Sequence, residues 1–236
     1  PFGPARPEIW SESTFAVLPR AIAEAPALPV PKGVEAVMPE FPQGRFTTLL
    51  AGERGLTVAN HGLPEAAVIP VAEGWALAMT LIRAVGWLSR DDLSTRGGGA
   101  GPRFETPEAQ CLGVQRFRYA LIPGAGDWVP GMAAAHAFTS PPRAWVGEGL
   151  PFAETVSLGH PAVVLSALKR SEDGRFLVVR GYNATPEPVE AELAVALPHQ
   201  RVLAGDLAET PGAALGHGRV AYSLRPYEIR TWLIER

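Results

Sequence analysis

The chain has 236 residues, 47% of them hydrophobic, enough for the cores of one large or two small domains and too many for a disordered protein. A net charge of −3 leaves no basic footprint, which excludes nucleic acid as an expected partner. The single cysteine, Cys111, excludes an intrachain disulfide, and the most apolar run, Trp75 to Leu88, contains Arg83 and is too short to span a bilayer.

The first 44 residues are proline-rich and aperiodic, and segments such as Phe2 to Glu8 and Ala25 to Lys32 read as extended chain lying across a surface, because proline cannot donate to a sheet ladder. From Arg45 onward strands are expected at Phe46 to Leu50, Gly55 to Ala59, Ala66 to Val71, Trp75 to Val85 and Gln115 to Ile122. In Arg116, Phe117, Arg118 and Tyr119 the alternation predicts arginines in solvent and rings in the core. The alanine-rich stretch from Asp127 to Phe138 predicts a helix stopped by Pro141 and Pro142. Beyond Pro161 come strands at Ala162 to Lys169 and Arg175 to Asn183, joined by a turn at Asp173 and Gly174. Further strands follow at Val189 to Ala196, Gln200 to Leu203, Arg219 to Leu224 and Glu228 to Ile234. Few helices and regularly spaced turns predict an all-β protein built of sandwiches.

Chemistry concentrates after the Trp75 strand, in Gly86-Trp87-Leu88-Ser89-Arg90-Asp91-Asp92-Leu93-Ser94-Thr95-Arg96 and the glycine run that follows. Asp91 and Asp92 can pair with Arg90 and Arg96 merely to order a loop, or the loop can present a carboxylate and a planar guanidinium to sugar hydroxyls. The glycines from Gly97 to Gly101 allow close backbone approach, although no lysine or helix makes this a phosphate loop. Adjacent aspartates on an extended segment point to opposite faces, so Asp91 and Asp92 do not suit the pair of carboxyls that a retaining glycosidase sets about 5 Å apart. Trp87 is the best candidate for stacking on a sugar; Trp10, Trp75, Trp128, Trp145 and Trp232 fall where core packing is expected. The five histidines are dispersed, which predicts no metal site, and His61 reads as a hydrogen-bonded turn residue beside Asn60 and Gly62. Cys111, between apolar neighbours, is expected to pack as a small hydrophobe, Glu105 and Glu108 to be solvated, and the glycosylation pattern at Asn183 to be chance.

Taken in order, Gly55 to Glu65, the Gly86 to Arg96 cluster, Thr106 to Gly113 and Arg116 to Ile122 resemble the C-terminal region of glycoside hydrolase family 38, the class II α-mannosidases. The likeness extends through Ala167 to Asn183 and Leu224 to Ile229 and covers most of residues 40 to 236. It implies a large antiparallel supersandwich of galactose-mutarotase type, complete or partial, over residues 1–150, then a small C-terminal β-sandwich over 151–236. It also implies that zinc and the catalytic carboxylates belong to a separate N-terminal domain with no counterpart in these residues, so the chain carries no catalytic residue and no cofactor of its own. A family loop in this position reaches towards the active site, which nominates Arg90, Asp91, Asp92 and Arg96, with Trp87, as residues that bind substrate or buttress the site. The expected partners are the catalytic domain of the same enzyme and a mannose-containing saccharide, with neither nucleic acid nor membrane. The alternatives are a free-standing carbohydrate-binding module and a mutarotase-like sugar epimerase, which would need a histidine acid and a carboxylate base in one cleft. Lysine occurs only at Lys32 and Lys169, a coding bias of GC-rich bacterial genomes; no signal peptide precedes Pro1, so a cytoplasmic location is expected, and the missing initiator methionine suggests a piece of something longer.

Overall fold

Apolar and alternating runs punctuated by glycine and proline fold as antiparallel strands in a computed structural model, which describes residues 2–23, 26–142, 146 and 156–235. Trp145 and the expected boundary at 150/151 lie outside the described residues. The chain divides into two compact units, one made of Pro1–Glu12 and Pro19–Ser140, the other of Ser13–Leu18 and Pro141–Arg236.

The first unit opens with β1 (Glu8–Ser13) and, after β2 (Ala16–Arg20), most of which belongs to the second unit, continues with the short β3 (Glu40–Pro42). There follow β4 (Phe46–Ala51), β5 (Arg54–Asn60), β6 (Glu65–Val71), β7 (Gly74–Met79) and β8 (Tyr119–Gly124). β1, β4, β5 and β8 lie side by side in that order, and β3, β6 and β7 form a second sheet. A two-residue loop joins β4 to β5, and Gly52 takes the positive φ, 59°, that such a hairpin requires. Ile9, Phe41, Leu49, Ala66 and Val68, drawn from both sheets, form a buried apolar layer, so the sheets pack face to face. Helix α1 (Val129–Thr139) packs on β5 and β8. Its Gly131 is obligatory, because a Cβ there would stand 2.0 Å from the Thr57 hydroxyl.

The second unit holds β9 (Val156–Ser157), β10 (Val163–Arg170), β11 (Phe176–Asn183), β12 (Val189–Val195), β13 (Arg201–Gly205), β14 (Pro211–Gly216), β15 (Arg219–Leu224) and β16 (Ile229–Glu235). One sheet runs β10-β11-β16-β13-β14 and the other β15-β12-β9. Val179, Leu193, Val202, Leu224, Trp232 and Ile234 fill the space between them. At the β10–β11 turn Gly174 takes φ 74°, and the Ser171 hydroxyl accepts from the Phe176 amide at 3.0 Å. The segment Ser13–Leu18 contributes the Val17 amide, which donates to the Ala184 carbonyl at 2.9 Å, and the Phe15 ring, set edge-on against Tyr182 at 5.4 Å. Asn183, in the glycosylation pattern, is fully buried; its amide donates to the carbonyls of Glu187 and Arg225, which explains the residue as a structural clamp. Among the described residues no helix is long and apolar enough to cross a membrane.

The all-β sandwich architecture holds, and the departures from expectation have local causes. The proline-rich start carries three strands, β1 to β3, because its prolines fall mostly between them. The Trp75 strand stops at Met79, not Val85: its partner β6 begins at Glu65, next to Pro64, so the ladder has run out and Leu81, Ile82 and Val85 are exposed. β8 begins at Tyr119, opposite Asn60 where β5 ends. Its inward phase falls on Ala120 and Ile122, and Tyr119, expected in the core, is 54% exposed. Cys111, expected to be packed, is exposed at the end of a 3-10 turn (Pro107–Gln110), with φ 51°.

Candidate functional site

The chain between β7 and β8 is too polar and glycine-rich to enter a sheet, and it folds back on itself through isolated backbone pairs. Trp87 bridges Glu105, and the Leu88 amide donates to Phe104 at 2.9 Å, so Trp87 to Asp92 and Arg103 to Glu105 form the two arms of a loop. At its far end Arg96 and Gly97 bridge Glu35 and Lys32 of the segment before β3, with the Gly33 amide donating to Gly97 at 2.8 Å. A Cβ on Gly97 would fall 2.0 Å from the Pro31 carbonyl, so the glycine run serves close packing of backbone against backbone.

Three arginine–carboxylate pairs organise the loop. The Arg90 guanidinium engages Asp92 with two nitrogens, Nε donating to Oδ1 at 2.7 Å and Nη2 to Oδ2. These hydrogen bonds hold the Asp92 carboxyl below the usual range and raise the Arg90 guanidinium above it. Arg103 pairs with Asp91, and Arg96 with Glu35. The adjacent aspartates therefore address different arginines, and neither faces the other as a catalytic pair would. Arg103 and Glu35 escaped the sequence reading, since neither stands in the polar cluster and only the folded backbone brings them to it.

Two hollows flank these pairs. One, of about 310 Å³, is lined by Trp87, Ser89, Arg90, Asp91, Asp92 and Arg103; the other, of about 570 Å³, by Lys32, Asp91, Asp92, Arg96, Gly97 and Gly98, with Pro29, Val30, Leu93 and Ser94. All five residues nominated from sequence border one hollow or the other, and Trp87 is 42% exposed beside the Arg90–Asp92 pair. An apolar ring next to paired donors and acceptors is a setting suited to a hydroxyl-rich ring.

A second ionic cluster in the first unit has a different setting. Glu12, on β1, accepts from the Arg45 amide at 2.6 Å, from Arg45 Nε at 3.0 Å and Nη2 at 2.7 Å, and from His136 Nε2 of α1 at 2.7 Å. Its side chain is only 5% exposed. Burial pushes the Glu12 carboxyl up, but the hydrogen bonds from His136 and Arg45 outweigh it and bring the group down to about 2. Gly44 is required beside it, because a Cβ there would lie 2.6 Å from Glu12 Oε2.

His61 follows β5, its Nε2 3.2 Å from the Phe138 carbonyl, while the adjoining turn places Gly62 at φ 80°. Among the described residues no three His, Cys, Asp or Glu side chains converge on a point that could hold a metal, so the donor set of a zinc site is not found there.

Residues 162–232 match the family model for the "Glycosyl hydrolases family 38 C-terminal beta sandwich domain". A protein of Halalkalibacterium halodurans bearing the name "Putative mannosylglycerate hydrolase" is 30% identical over 91% of this chain, and alpha-mannosidase 2C1 of Mus musculus is 31% identical over 55% of it. The crystal structure of an alpha-mannosidase from Enterococcus faecalis matches 100% of the chain with a TM-score of 0.73 at 28% identity. The chain spans 23% of the Halalkalibacterium protein, 14% of the mouse protein and 25% of the Enterococcus chain. With residues 162–232 matched by the family's own domain and a fold shared along its whole length with an alpha-mannosidase, the chain resembles the C-terminal region of glycosyl hydrolase family 38 proteins.

Proposed function

We propose that the chain is the non-catalytic C-terminal part of a cytoplasmic α-mannosidase. It packs on a zinc-dependent catalytic domain of the same enzyme and lends Trp87, Arg90, Asp91, Asp92 and Arg96 to a cleft that takes a mannose-containing saccharide. The observation that carries this reading is the loop itself: its arginine–carboxylate pairs border two open hollows next to an exposed tryptophan. Packing on another domain is supported by the apolar side chains that the same excursion leaves in solvent. Leu88, Phe104, Leu112 and Val114 are 61%, 62%, 90% and 86% exposed, a concentration that a free surface does not require. Within the family reading, the loop's contribution is positional: Arg90 holds Asp92 through two nitrogens and Arg103 pairs with Asp91, so that carboxylate oxygens and arginine N–H groups meet sugar hydroxyls with little further ordering.

The test is hydrolysis of an aryl α-mannoside with zinc present. The 236-residue chain is expected to be inactive. Arg96→Ala or Asp92→Asn, in a protein that joins this chain to the catalytic domain, is expected to lower kcat/KM. Turnover by the chain alone would overturn the reading. The exposed Trp87 also fits a free-standing sugar-binding module, which differs by predicting that the isolated chain binds mannosides as tightly as the longer protein does. A sugar epimerase is disfavoured by the pairing: in the one histidine–carboxylate pair of the first unit among the described residues, His136 with Glu12, the carboxylate is only 5% exposed and also accepts from Arg45.

A further inference from the structure

At one end of the second unit, the loop from β12 to β13 meets the turn from β14 to β15 through two stacked imidazoles. The rings of His199 and His217 lie 4.3 Å apart, 14° from parallel. His199 Nδ1 is 2.7 Å from the Leu197 carbonyl, and His199 Nε2 is 3.0 Å from the Gly218 amide nitrogen. A carbonyl only accepts and a backbone N–H only donates, so both His199 nitrogens have fixed roles: Nδ1 carries the proton and Nε2 offers its lone pair. His217 Nε2, 3.2 Å from the His199 carbonyl, must by the same logic carry a proton. Gly218, at φ 73°, in turn accepts from the Val195 amide at 3.0 Å, so the clamp fixes the turn to the end of β12.

We infer that His199 is a pH-gated clamp: neutral, it pins the β14–β15 turn, and protonated, it releases it. A proton on Nε2 would occupy the lone pair that receives the Gly218 N–H, leaving that donor without its partner and setting an imidazolium face to face with His217. Charged side chains on the adjoining strands do not offset this. Arg219 at the start of β15 is paired with Glu192 of β12, and Arg201 of β13 with Glu235 of β16. Among the described residues neither imidazole bonds a carboxylate. The element set free is β14, an outermost strand paired to β13 within its sheet and exposed at every residue from Pro211 to Gly216, so acidification loosens a sheet edge without touching the core between the sheets.

Long-range 15N–1H correlation of the imidazoles at pH 8 is expected to show His199 as the Nδ1–H tautomer. Amide exchange, expressed as protection relative to the unstructured peptide at each pH, is expected to fall about tenfold or more at Gly218 between pH 8 and pH 5, while Trp232 in the core keeps its protection. His199→Gln, which can accept from Gly218 but does not titrate, is expected to hold Gly218 protection constant over the same range. An Nε2–H tautomer at pH 8, or Gly218 protection in the unaltered chain that does not change down to pH 5, would overturn the proposal whatever the variant does.

Discussion

Glu12 and the loop around Asp92 contain the same kinds of group, carboxylates bonded to guanidinium, yet one cluster is buried between a sheet and a helix and the other stands in water. Among the described residues the hydrogen bonds that the Glu12 carboxylate accepts come from Arg45 and His136, and the three residues join β1, the start of β4 and the last turn of α1. The Glu12 side chain, 5% exposed, offers a ligand almost nothing to reach. Around Asp92 the side chains are more than half exposed, and the pairs border hollows instead of filling them. Surface ion pairs add little to stability, whereas breaking a buried one strands a charge. The difference assigns the two clusters different work: the first holds the fold and the second is free to hold something else.

The most severe test of this contrast is Glu12→Ala, which removes the buried carboxylate that Arg45 and His136 both donate to. It is expected to lower unfolding stability by about 3–5 kcal/mol, seen as a fall in the urea midpoint. If the midpoint hardly moves, the cluster is not what ties α1 to the sheet. Next in size is pH. The folded value of Glu12, about 2, lies below its ordinary 4.5, so its contribution, on the order of 3 kcal/mol, is fully present above pH 4.5 and is lost as pH falls through 2. Unfolding followed between pH 6 and pH 2 should show this loss, and Glu12→Gln should flatten the profile in that window. Smaller still, Gly131→Ala is expected to destabilise by about 1–3 kcal/mol despite alanine's higher helix propensity, because the added methyl meets Thr57. At the bottom of the scale, Asp92→Asn and Arg90→Ala are expected to leave the urea midpoint where it was, while Trp87 fluorescence responds to both. A large loss of stability from either would erase the distinction between the clusters.

Much of the second unit is legible in the sequence because its strands alternate and its turns announce themselves: Asp173 and Gly174 sit where β10 must reverse, and the expected strands fall within two residues of those observed. β1 and β3 were hidden because proline density argues against a sheet, although Pro42 sits at the end of β3 and leaves its neighbours free to pair. The polar loop was visible as a cluster of charges, but its pairing was not. Asp91 finds Arg103 across the loop and Arg96 finds Glu35 in a different segment, contacts that depend on where Gly97 lets two backbones meet. The Glu12 cluster was invisible altogether: its members stand 33 and 124 residues apart, and nothing in the local spacing of a glutamate, an arginine and a histidine says that they will be buried together.

The membership of Ser13–Leu18 in the second unit limits how that unit can be passed around, in the laboratory or between genes. No single cut in the chain separates the two units, because whatever is severed after Ser140 leaves without Val17, the donor to the Ala184 carbonyl, and without Phe15, the ring against Tyr182. A sandwich delimited by contiguous sequence, as residues 162–232 are, is therefore a unit of similarity that leaves out part of the compact unit. Transplanted alone it should be a poorer domain than the same residues with Ser13–Leu18 supplied as a tethered peptide, and inheritance of the two units as a block follows from six residues near the beginning of the chain.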